Sequence, residues 1–126
     1  MRIGILAAKG ALAIGFLWCA AVQFNDPDPL PWATAYGLVA VIFALATIRI
    51  RSVPLNWISL GMLMALALVS LPGFVDFVRL ENWRALNATM SASRPHIEFA
   101  REFLGAIAAS TAVLGWIGAS ARSSHP

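Results

Sequence analysis

The sequence predicts an all-α fold, an integral membrane four-helix bundle with a short interfacial amphipathic segment between helices three and four. Three observations carry this. Of 126 residues, 60% are hydrophobic and 12% charged, against about 45–50% apolar and about 25% charged in an average soluble domain. A chain this short cannot bury that much apolar surface in one aqueous core, so a mean hydropathy of +0.75 points to lipid as the solvent. Finally, the apolar residues fall into four runs, each near the roughly 20 residues that cross a hydrocarbon core.

A single transmembrane domain over residues 1–126 follows, with helices at roughly 3–23, 30–50, 55–72 and 95–119. The first run, behind Arg2, is interrupted only by Lys9, whose amine is expected to snorkel to the near headgroups. A signal peptide begins the same way, but Cys19 at a minus-three position disfavours cleavage after Ala21, so the helix is read as retained. The second run ends at Arg49, Arg51 and Pro54, and the third at Pro72-Gly73, the strongest local punctuation in the chain. Beyond it, Phe77, Leu80 and Trp83 recur beside Asp76, Arg79, Glu81 and Arg84, which predicts the amphipathic segment with Asp-to-Arg and Glu-to-Arg pairs at i,i+3. The fourth helix opens at Ser93-Arg94-Pro95. Its roughly 25 residues make about 37 Å against a core of about 30 Å, so its charged start projects.

Charge placement sets the expected orientation. With both termini cytoplasmic, the inner face holds Arg2, Lys9, Arg49, Arg51 and Arg122, and the short second loop carries two arginines where the first carries none. All six acids then fall on the outer face. Arginine outnumbers lysine eight to one, which together with the alanine content suggests a bacterial inner membrane. The five tryptophans, Trp32 among them, lie near helix ends as an aromatic belt would require. Small residues repeat every fourth position at Ala7, Ala11 and Gly15 and at Thr111, Gly115 and Ala119, a spacing expected to hold the bundle together, with a homo-oligomer contact as the other reading.

The least generic stretch is Gln23-Phe24-Asn25-Asp26-Pro27-Asp28-Pro29. Asp before Pro is a natural cap before a first helical turn, yet one capping aspartate would suffice, and a second acid in a tight turn repels it. Glu98 and Glu102 stand at i,i+4, with Arg101 adjacent, and like charges at that spacing need something positive between them. His96 lies about 200° round the helix from Glu98 and joins only if the first turn frays. The sequence reading brings Asp26 and Asp28 to Glu98, Arg101 and Glu102, near Asn25 and Gln23. Arg101 would bridge carboxylates by its forked donors. Asp26, Asp28, Glu98 and Glu102 are the candidate ligands should a divalent cation replace or supplement it.

Gln23-x-Asn25-Asp26-Pro27-Asp28, then Trp32 and Tyr36, then His96-x-Glu98-x-x-Arg101-Glu102-x-x-Gly105 resemble the transmembrane protein 220 family, small membrane proteins of bacteria and animals. The resemblance implies a four-helix membrane bundle and marks these residues; it brings no reaction, cofactor or partner. It covers the motifs and the helix layout but not the stretch from Asp76 to Pro95.

No GxGxxG, HExxH, Walker or CxxC motif occurs, and paired carboxylates are the only candidate acid or base for an enzyme. Transport is disfavoured because the spans hold almost no ionisable residue besides Lys9. The basic residues are too dispersed for nucleic acid. The favoured reading is a non-catalytic module or accessory subunit in the lipid bilayer, alone or in a larger membrane complex. A hard-cation or anionic-headgroup site at the outer cluster stands second, and a membrane enzyme third.

Overall fold

The computed structural model describes residues 2–89 and 91–123. Its main elements are α1 (Arg2–Val22), α2 (Pro29–Thr47), α3 (Val53–Leu80) and α4 (Pro95–Arg122), with 3-10 turns at Gln23–Asn25 and Trp83–Asn87. All four helices are long and apolar enough to cross a membrane. They form two antiparallel hairpins, α1 with α2 and α3 with α4, joined through α2, which touches the other three. Trp32, Tyr36, Val39, Ile42 and Phe43 of α2 enter the main core with Leu63 and Ala67 of α3 and Ala106, Ala109 and Val113 of α4.

Helix lengths create the site. α1 and α2 have 21 and 19 residues, α3 and α4 have 28 each. Arg2, Thr47 and Ser123 line one cleft, so the helices finish level at that end. The surplus of α3 and α4, about 12 Å at 1.5 Å per residue, therefore stands beyond the turn that joins α1 to α2. The connectivity gathers Arg2, Lys9, Arg49, Arg51 and Arg122 toward the level end and all six acids toward the stepped end.

Several expectations are corrected. α3 does not stop at Pro72-Gly73 but runs to Leu80 with Pro72 inside it. Proline costs one intrahelical bond, a loss that packed transmembrane helices tolerate. Gly73 is a packing notch instead of a stop, because a Cβ there would collide with the Phe99 side chain of α4. One residue on, Phe74 stacks on Phe103 with ring centroids 4.4 Å apart. Pro54 likewise sits inside the first turn of α3, where Ser52 caps by accepting from the Leu55 N–H at 3.4 Å. At the other end α2 closes earlier than expected, at Thr47.

The amphipathic stretch is divided. Asp76 to Leu80 complete α3, with Phe77 buried against Ile97 and Ala100, and Trp83–Asn87 is a single 3-10 turn. Glu81 pairs with Arg94 and His96 rather than with Arg84. Trp32 is core, 3% exposed, not part of a belt, whereas Trp18, Trp57 and Trp83 are more than half exposed. Both small-residue stripes face outward: Ala7, Ala11, Gly15, Thr111, Gly115 and Ala119 are all exposed. Lys9 reaches toward the level end, where its ammonium donates to the Ala46 carbonyl at 3.2 Å and lies 4.7 Å above the Trp116 ring, which gives the charge a helix C-terminus and an aromatic face.

A candidate acidic pocket at the stepped end

The turn between α1 and α2 is built from Gln23 to Asp28. Gln23 folds back, its Nε2 donating to the Cys19 carbonyl at 3.2 Å, and the Asp26 N–H closes the 3-10 turn onto Gln23 O at 2.9 Å. Asp28 occupies the N-cap position of α2 yet makes no capping bond. A cap normally accepts from the second or third helical N–H. The third residue here is Pro31, which has none, so Asp28-Pro29-Leu30-Pro31 leaves the carboxylate largely released from capping.

That carboxylate meets α4 on the step. One oxygen from each of Asp28, Glu98 and Glu102 lies within 4.8 Å of the other two. Beside them Val22, Gln23, Asp26, Tyr36, Glu98, Arg101 and Glu102 line a pocket of about 250 Å³. Asp28 is exposed and the two glutamates are half-buried. Ser70 of α3 donates to Glu102 Oε2 at 3.3 Å. The floor is set by Tyr36, buried between Trp32 and Phe16 with ring centroids at 6.1 and 6.3 Å. Its hydroxyl lies where a Cβ on Gly105 would sit.

The predicted cluster is therefore assembled in part. Gln23, Asp26, Asp28, Tyr36, Glu98, Arg101 and Glu102 converge on one pocket or its rim. Trp32 supports Tyr36 from the core, and Asn25 lies exposed in the 3-10 turn. His96 is turned away, its Nε2 3.0 Å from Glu81 Oε1. Arg101 does not hydrogen-bond the carboxylates it was expected to bridge. Its fork donates to the carbonyls of Leu86, at 2.6 Å, and Ala88, tying the α3–α4 connection to α4. Sequence reasoning missed Ser70, whose signal is a hydroxyl in the midst of an apolar run. It also missed Glu81 as the partner of His96 and Arg94, for which spacing offers no signal.

Four membrane-crossing helices and a stepped end carrying an acidic pocket define a small polytopic membrane protein. The model of transmembrane family 220 matches residues 15–117, and the chain belongs to that family. The match takes in both halves of the pocket, the turn after α1 and the start of α4. Neither a curated protein nor a solved structure matches the chain.

Proposed function

We propose that this protein is a non-catalytic membrane module whose acidic pocket binds a hard divalent cation such as Ca²⁺ or Mg²⁺. The observation that carries the reading is the convergence of Asp28, Glu98 and Glu102 within 4.8 Å of one another while the Arg101 fork is spent on backbone carbonyls. Three ionised carboxylates so close repel strongly where water is scarce, and hard cations favour sites of several carboxylate and carbonyl oxygens. Gln23 and Asp26 add further oxygens at the pocket wall. The stepped end faces outward with both termini cytoplasmic, which agrees with the cations gathered at the level end. Exposed Trp83 and Leu80 offer apolar surface to the lipid interface at the stepped end. The protein acts alone or as an accessory subunit of a larger complex.

The test is thermal unfolding of detergent-purified protein with chelator, Ca²⁺ or Mg²⁺. A saturable gain in melting temperature is expected, reduced in Asp28→Asn and in Glu102→Gln and retained in Asn25→Ala. Equal melting with chelator and with cation would leave the cluster a structural one that holds its own protons.

A further inference from the structure

The level end carries a second cleft whose chemistry is the opposite of the pocket's. It holds about 760 Å³ between the start of α1, the end of α2 and Ser123, which caps α4. Three cationic side chains, Arg2, Lys9 and Arg49, line it together with Ile3, Leu6 and Thr47, and no acid does. Every Asp and Glu of the chain belongs to the other end of the topology, so among the described residues these charges meet no acidic side chain. Ile3 and Leu6, 84% and 51% exposed, continue the cleft into the outward surface of α1. A cationic recess opening onto an apolar helix face matches a molecule with an anionic head and an acyl tail.

Arg49 supplies an independent observation. It has φ of 63°, the only positive φ on a non-glycine residue among those described. The Ile50 N–H bonds to Leu45 O at 2.9 Å and the Arg49 N–H to Ala46 O at 3.3 Å, which is a Schellman closure with Arg49 at the left-handed position. Glycine or asparagine suits that position best. An arginine there spends backbone energy on a cation, and the cation lines the cleft. Non-glycine residues held at positive φ concentrate at ligand sites.

We propose that this cleft binds the phosphate headgroup of an anionic phospholipid, with Arg2, Lys9 and Arg49 around the phosphate and an acyl chain along Ile3 and Leu6. The site is separate from the acidic pocket and does not depend on it. The test titrates detergent-purified protein with phosphatidylglycerol, phosphatidylcholine or inorganic phosphate, reading retained lipid by native mass spectrometry and melting temperature in parallel. Phosphatidylglycerol is expected to bind saturably and raise the melting temperature, with the other two well behind. Because one basic residue near an anionic headgroup contributes about a fivefold factor, Arg49→Gly and Arg2→Gln should each weaken binding by about fivefold. Arg51→Gln and Arg122→Gln, outside the cleft, should not. Lipid-free Arg49→Gly and Arg49→Asn should melt no lower than the parent, separating ligand loss from misfolding. Equal binding of phosphatidylcholine, an equal shift from inorganic phosphate, or an equal loss in Arg51→Gln and Arg122→Gln would overturn the proposal.

Discussion

Gly105 of α4 lies directly against the Tyr36 hydroxyl of α2, so close that a Cβ at position 105 would occupy the space of the oxygen. The contact fixes how near α4 approaches α2 at the level of the pocket, and with it the distance from Glu102, one turn earlier, to the Asp28 turn. Tyr36 cannot yield easily, being 6% exposed and packed against Trp32 and Phe16.

Gly105→Ala should therefore destabilise the bundle by about 1–3 kcal/mol, the usual cost of overpacking a filled core. Adding Tyr36→Phe removes the obstructing oxygen and should recover more than half of the loss. Thermal unfolding of the two single variants and the double variant, read as a cycle, checks this; an additive double variant would refute the contact.

Arg101→Ala should release the connection between α3 and α4. Two bonds from a charged donor, to Leu86 O and Ala88 O, disappear, and hydrogen bonds to charged groups contribute about 1.5–3 kcal/mol. Hydrogen exchange should rise most over residues 83–88 while the main core stays protected. Lysine cannot donate as a fork, so Arg101→Lys should rescue poorly.

Acid should weaken the same region through Glu81. Hydrogen bonds from Arg94, at 2.8 Å to one oxygen and 2.5 Å to the other, and then the contact with His96 at 3.0 Å hold its carboxyl at about 2, below the value near 4.3 of an unfolded chain. A depressed carboxyl contributes stability that is complete above the unfolded value and lost as pH falls through about 2. The melting temperature of the parent should thus fall between about pH 4.5 and pH 2, and Glu81→Gln should start lower and show a shallower acid limb.

Ser59 and Ser110 should tolerate alanine. Their hydroxyls are buried and, among the described residues, accept and donate nothing. An unpaired buried hydroxyl costs about 1–3 kcal/mol, so Ser59→Ala and Ser110→Ala should leave stability unchanged or raise it by up to about 1 kcal/mol. A loss of melting temperature in either would show a hydrogen bond in the native protein.

Composition and run length alone determined the membrane-spanning four-helix fold, because lipid demands long apolar helices and leaves little else that spans. The order of charges along those runs likewise determined which ionisable groups share an end. Local rules worked where the deciding contacts are local, at Pro95 opening α4, whereas Asp28 takes the N-cap position of α2 without the capping bond those rules expect. They failed where a distant partner decides. Pro72-Gly73 looks like a stop until Phe99 is seen to need the space at Gly73. Arg101 looks like a bridge between carboxylates until the carbonyls of residues 86 and 88 are brought within its reach, and His96 like a cluster member until Glu81 takes it. Side-chain groups with several donors go to whichever acceptors the packing presents, and periodicity carries no record of those; only the tertiary structure decided that three carboxylates meet and that the arginine lining their pocket donates to backbone carbonyls instead.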